Sequence, residues 1–154
     1  LASQDEEQSL LLAMNPRNNA YLDDVRRGRA IATLALAEGR PVHYAFLLLR
    51  NRTRCLLGLP QDAALLAHAY TVEDYRGRGC QARSVGQRAR AAADAGYPLV
   101  YAETSIDNAA SRRGLTKAGL KDRGRLLVIR LFRILVWRPV RPKGIRALAV
   151  CLRD

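Results

Sequence analysis

Metal-binding and redox-active side chains are scarce in this chain. Among its 154 residues are only two histidines and three cysteines. Cys55, Cys80 and Cys151 stand far apart, with no CxxC and no metal-type spacing, which argues against a zinc site or a disulfide framework. Free thiols in a reducing compartment, and no metal, are the expectation. Long apolar runs are also missing. None approaches the roughly 20 residues of a membrane-crossing helix, and acidic Asp5, Glu6 and Glu7 ahead of the short run at 10–14 do not make a secretory leader. The expected location is cytoplasmic, with no transmembrane segment. Acidic residues, finally, are few in the second half. Residues 1–75 hold 8 Lys/Arg against 9 Asp/Glu, a balance of −1, while residues 76–154 hold 18 against 5, a balance of +13, which together make the net +12. A polyanionic partner is expected on that half.

What is present is ordinary globular material. An apolar share of 49% with 26% charged residues argues against disorder. The length suits one domain over residues 1–154, with a basic strand and tail from about 121. No internal repeat or low-complexity segment interrupts it.

Residues 5–14 and 18–28 read as helices separated by Asn15-Pro16. Residues 30–37 and 42–50 read as a hairpin of largely buried strands around Glu38-Gly39-Arg40-Pro41, with Val42, Tyr44, Phe46 and Leu48 on one face and His43 on the other. Residues 51–62 read as a loop with a short strand at 54–57. Strict alternation over 64–72 places Leu66, His68, Tyr70 and Val72 together. The helix that follows the next loop turns Ala82, Val85 and Ala89 inward and Arg83, Arg88 and Arg90 outward, and stops at Gly96. A strand over 98–104, a helix capped by Asp107 or Asn108 and ended by Gly119, and strand-like runs over 121–140 complete the order. The strand–helix–strand passage favours parallel pairing of its flanking strands.

The most informative stretch is Arg76-Gly77-Arg78-Gly79, between the strand ending near Val72 and the helix opening at Cys80. The first turn of a helix carries amides without intrahelical partners and partial positive charge from aligned peptide dipoles. Glycines bring such amides against phosphate oxygens with no side chain in the way, and the arginines add fixed charge. A solvated surface turn is the competing reading. Beyond the next strand come Asn108, Ser111, Gly114, Leu115, Lys117, Gly119 and Leu120.

With both stretches in view, residues 64–120 resemble the GNAT superfamily of acyl-CoA-dependent N-acyltransferases. Arg76 and Gly79 match its [Q/R]-x-x-G-x-[G/A] loop, and Asn108, Ser111, Lys117 and Gly119 match its N-x-x-S-x-x-x-Y-x-K-x-G-F segment at the same spacing. Three positions depart. Gln81 stands at the last loop position and has to turn its side chain away for phosphate to approach; Leu115 replaces a tyrosine often used as general acid; Leu120 replaces a core phenylalanine.

The resemblance implies a mixed α/β (α+β) fold, with a mostly antiparallel central sheet that splays at two parallel strands and is flanked by helices. It implies transfer of an acetyl group from acetyl-CoA to a primary amine, small-molecule or peptide, by direct attack in a ternary complex. A backbone N–H in Thr71, Val72 or Glu73 would meet the thioester carbonyl and the others the pantetheine arm. Amides of Arg76, Gly77, Arg78, Gly79, Cys80, Gln81 and Ala82 would hold the diphosphate, with Asn108 and Ser111 on the pantetheine arm. Asn108 reads equally as a helix N-cap. For the general base the order is Glu103, Glu73, then His68, which reads first as a structural residue. Tyr70, Tyr75, Tyr101 or water could stand in for the missing tyrosine, because a thiol of pKa about 8.5 departs without much help. Cys80 reads as a packed small side chain rather than a nucleophile, since no base adjoins it.

Two other functions fit the composition. One is a non-catalytic acyl-CoA-binding relative. The other is a nucleic-acid or ribosome-binding module, for which Trp137 among Arg133, Arg138 and Arg141 would contact nucleic acid or an acidic surface. A solvated face or a homodimer contact ranks ahead of that use of the basic region.

Overall fold

The computed structural model describes residues 4–51, 53, 54, 57–131 and 134–140, and from residue 125 onward the description is of the backbone. Chain order runs α1 (Gln4–Met14), a 3-10 turn (Pro16–Asn18), α2 (Asn19–Arg26), β1 (Ala30–Ala37), β2 (Arg40–Leu48), β3 (Ala63–Thr71), a 3-10 turn (Glu73–Tyr75), α3 (Cys80–Asp94), β4 (Leu99–Ala102), α4 (Ala109–Lys117), β5 (Arg125–Leu131) and β6 (Ile134–Val140). Asn15 and Pro16 break the first helix as their chemistry demands. The Asn15 side chain accepts from the Arg17 amide, and Pro16 opens the next turn, where no N–H is needed.

Four strands form one sheet in the order β1-β2-β3-β4, antiparallel except for the parallel β3–β4 pair, while β5 and β6 pair antiparallel in a sheet of their own. Strand β2 is buried on both faces. Tyr44, Phe46 and Leu48 meet Leu11, Leu22 and Leu65 beneath α1 and α2; Leu47 and Leu49 meet Ala64, Leu66, Val85 and Ala92 beneath α3. Removing side chains of this size from water contributes about 1.5–3 kcal/mol each, so β2 is the axis on which both layers are assembled.

Three expectations are corrected. The described residues of the strand expected at 54–57 are not extended: Thr53 and Arg54 are helical, and Leu57 lies in a turn with its amide donating to the Thr53 carbonyl. Arg54 is buried there because its guanidinium answers the carbonyls of Leu49, Pro60 and Gln61. The alternation along β3 fails at His68, which takes φ +46° in a bulge where Tyr70 pairs with Tyr44 but Ala67 pairs with Phe46. One extra residue moves His68 and Tyr70 to the α1/α2 face, away from Leu66. Arg88 points inward, 1% exposed, with Nη1 donating to the Phe46 carbonyl at 2.9 Å and Nε to the Ser84 carbonyl at 3.2 Å. These two bonds, near the broken ladder, offset part of the cost of burying a cation.

The parallel β3–β4 pair extends only from Ala63↔Leu99 to Leu66↔Ala102, although β3 runs on to Thr71. Past Leu66 the two strands part, and the wedge between them opens toward the loop at 72–79. The tail from 141 and residues Cys55 and Cys151 lie outside the described residues. So do the side chains of Arg133, Trp137, Arg138 and Arg141, and with them the nucleic-acid reading of that segment.

Candidate active site

The loop at the head of α3 is built by backbone conformation. Gly77 and Gly79 take φ +78° and +81°, and Gly79 is the N-cap of α3 without a side-chain cap bond. Left-handed backbone of this kind suits glycine, so the alternating Gly-Arg sequence bends the chain and turns its amides toward the helix entrance. Among the described residues, the amides of 77–82 donate to no protein acceptor, and the first bond of the helix is Arg83 N–H to the Gly79 carbonyl. This is an N-terminus of a 15-residue helix with its donors presented outward.

The side chains around the loop hold it in shape. Arg76 Nε donates to the Thr71 carbonyl at 3.3 Å, with Nη1 3.7 Å from Glu73. The Arg78 guanidinium lies 4.8 Å from the Tyr75 ring centre, and Cys80 Sγ reaches the Tyr75 carbonyl at 3.8 Å. Gln81 leans toward α4, since a Cβ built on Gly114 would lie 3.1 Å from its Cγ. The side chain that threatened to cover the amides is directed to where Gly114 leaves space.

On β3, the Val72 amide donates to the Val42 carbonyl at 3.0 Å. The expectation that this amide is free for a ligand is corrected: it completes the sheet. Strand alternation then directs the Thr71 amide away from β2, to the side from which β4 has departed. Thr71 Oγ1 shares a 2.8 Å hydrogen bond with His43 Nδ1, on the α3 side. His43 is fully buried, and burial, with the nearby Arg88 cation, lowers its pKa to about 4.

The opposite side of the wedge is aromatic. His68 stacks on Tyr21 at 4.8 Å and lies 5.7 Å from Tyr44; Tyr44 in turn lies 5.8 Å from Tyr70. Burial first, then Arg17, lowers the His68 pKa. Glu103 stands just past the end of β4, which is shorter than the 98–104 expected, and is exposed. Burial foremost, then the Glu103 carboxylate and the Tyr44 phenol, raise the Tyr21 pKa. The Glu103 carboxylate thus acts on the Tyr21 phenol from the same side of the wedge. Glu73 instead points to solvent beside Arg76, with 86% of its side chain exposed.

Asn108 caps α4, its Oδ1 accepting the Ser111 amide at 2.9 Å. The cap leaves Nδ2 without a bond among the described residues. Leu115 and Leu120 pack on the core beneath α3, so neither a phenol nor any other proton donor comes from position 115. No group of three or more potential metal ligands occurs among the described residues, and no described helix is long and apolar enough to cross a membrane.

No family model matches the sequence, and no curated protein matches it closely enough to count as a relative. Solved structures do. The aminoglycoside N-acetyltransferase AAC(6')-Iy in complex with CoA superposes with TM-score 0.72 at 15% identity, over 84% of this chain and 96% of that one. AAC(6')-Ih from Acinetobacter baumannii gives 0.63 at 15% over 82% and 92%. A ribosomal-protein-alanine N-acetyltransferase from Brucella melitensis gives 0.59 at 21% over 73% and 66%. The fold is shared with these acetyltransferases, a mixed sheet with one parallel pair flanked by helices, as the resemblance to the GNAT superfamily implies. At these identities the likeness fixes the architecture.

Proposed function

We propose that this chain is an acyl-CoA-dependent N-acyltransferase that moves an acetyl group from acetyl-CoA to a primary amine by direct attack within a ternary complex. The observation that carries the reading is the row of unanswered amides at 77–82, set at the head of α3 beside the point where β3 and β4 separate. The residues of the loop fit a diphosphate there, because Gln81 leans to Gly114 and leaves the helix entrance to the backbone.

When bound, acetyl-CoA supplies the activated acyl thioester. Amides of Gly77, Arg78, Gly79, Cys80, Gln81 and Ala82 would hold its diphosphate, with the helix dipole and the arginine charges adding attraction; the Arg76 amide, expected among them, is instead given to the Glu73 carbonyl at 3.0 Å. Asn108 Nδ2 and the Ser111 hydroxyl bond the pantetheine amides, so Asn108 keeps its capping role at the same time. The amide of Thr71, or failing that Glu73, donates to the thioester oxygen as negative charge grows on it. Glu103 removes a proton from the incoming ammonium, and the tyrosine–histidine cluster on the same side offers ring faces to that cation before it is neutralised. The acceptor class is accordingly a cationic amine. With Leu115 in the core, the thiolate leaves unprotonated or takes a proton from water, which its pKa of about 8.5 permits.

Calorimetric titration with acetyl-CoA followed by thiol release over a panel of amines tests this. Saturable binding with amine-dependent thiol release is expected. Binding without release for any amine would leave a cofactor-binding protein; no binding, with steeply salt-dependent affinity for nucleic acid, would replace the proposal altogether.

A further inference from the structure

The far end of the sheet holds a second polar cleft that acyl transfer does not use. Asp24, Arg29, Arg50, Asn51, Arg54 and Tyr97 line a cavity of about 650 Å³. They come from the end of α2, the approach to β1, the exit of β2 and the approach to β4, roughly 25 Å along β3 from the loop at 76–82.

Among the described residues, three guanidinium groups share this cleft with one carboxylate, and that carboxylate is already engaged. Arg29 Nη2 meets Asp24 Oδ1 at 2.6 Å, and Asn51 Nδ2 donates to Oδ2. Among the described residues Arg50 and Arg54 have no acidic partner. Arg50 Nε donates to the Tyr97 hydroxyl at 3.1 Å. The Arg54 guanidinium lies 5.6 Å from the Tyr97 ring centre and spends its terminal nitrogens on carbonyls of Leu49, Pro60 and Gln61 at 2.6, 2.7 and 2.9 Å. Carbonyl bonds leave a cation its full charge. Arg54 is 9% exposed, and among the described residues the buried Nε atoms of Arg54 and Arg29 find no acceptor. A guanidinium held out of water with no acidic partner acts on the cleft beside it through its charge.

We propose that this cleft is a binding site for a small phosphate-bearing anion. The terminal nitrogens of Arg50 suit a tetrahedral oxyanion, two cations without an acidic partner among the described residues suit a dianion, and the volume suits a small organic phosphate. Its occupant would join the exit of β2 to the entry of β4 through Arg50 and Tyr97.

The test is titration of the full chain with inorganic phosphate at constant ionic strength, followed by NMR of backbone amides and arginine Nε–H groups. Saturable shifts are expected at the backbone amides of Arg50, Asn51 and Tyr97 and at Arg50 Nε–H, with a Kd on the order of 1 mM. Arg50→Gln should raise that Kd about ten-fold, and Arg50→Lys by less, since charge survives and only the fork is lost. Arg50 is the residue to change because Arg54 also ties the 49–61 loop together. Shifts confined to 76–82, shifts that never saturate, an equal response to acetate, or an unchanged Kd in Arg50→Gln would each overturn the proposal.

Discussion

Gln81 carries an amide that, standing over the loop, would compete for the donors the reaction needs; its Cγ instead approaches Gly114. One missing Cβ on α4 thus compensates one large side chain on α3, a pairing across 33 residues that neither motif discloses. Asn108 is a case of two roles on two atoms. Asn108→Ala removes the Oδ1 cap and should cost about 1 kcal/mol in denaturant unfolding; by removing Nδ2 it should also raise the Kd for acetyl-CoA. Unchanged affinity alongside lowered stability would leave the residue as a cap alone. His43 sets a pH dependence. Its pKa is about 4 when folded against 6.5 for the free side chain, so the folded state binds fewer protons. The associated stability is complete above pH 6.5 and is lost as pH falls toward 4, by roughly 3 kcal/mol at most. Urea midpoints at several pH values should show this slope, and His43→Gln should flatten it, with His68, lowered in the same direction, accounting for what remains.

Helix α3 shows at the scale of an element where pattern and packing diverge. Its alanines and Val85 mark the inner face, and Ala92 and Val85 are buried there. Arg88 occupies the same face, three residues after Val85, and charge alone suggested the reverse. What reverses it is an acceptor on another strand, the Phe46 carbonyl, which no property of the helix reveals. The loop ahead of α3 behaved differently, because its glycines encode left-handed backbone directly. Gly79→Ala adds a Cβ that meets nothing within 4 Å, so its cost is conformational, about 1–2 kcal/mol. Thermal unfolding should register that loss, and acetyl-CoA affinity should fall with it if the loop amides hold the diphosphate. An affinity that survived the strain would detach the loop from cofactor binding.

The whole chain is electrostatically lopsided, with all of its positive excess lying from Arg76 onward. Binding of a compact polyanion by backbone amides and a few arginines should weaken only by about ten-fold or less between about 50 and 200 mM salt, against the roughly 10³-fold or greater loss expected when many phosphates of a duplex are contacted. Calorimetry across that range separates the two modes. The two ends of the sheet are also chemically distinct: amides and aromatics where β3 and β4 part, guanidinium groups where they begin.

Element order, the break at Asn15-Pro16, both hairpin strands and the glycine loop were legible because they follow from local physics: ring closure in proline, conformational freedom in glycine, side-chain period along a helix or strand. The bulge at His68, the burial of Arg88 and Arg54, the engagement of the Val72 amide and the lean of Gln81 were not, because each depends on a partner distant along the chain. Alternation assumes an unbroken ladder, and one extra residue at His68 is enough to carry Tyr70 to the aromatic side of the wedge. Local chemistry therefore announced which backbone could hold a phosphate, while packing between remote segments set which side chains surround it and which cations were left unpaired at the other end.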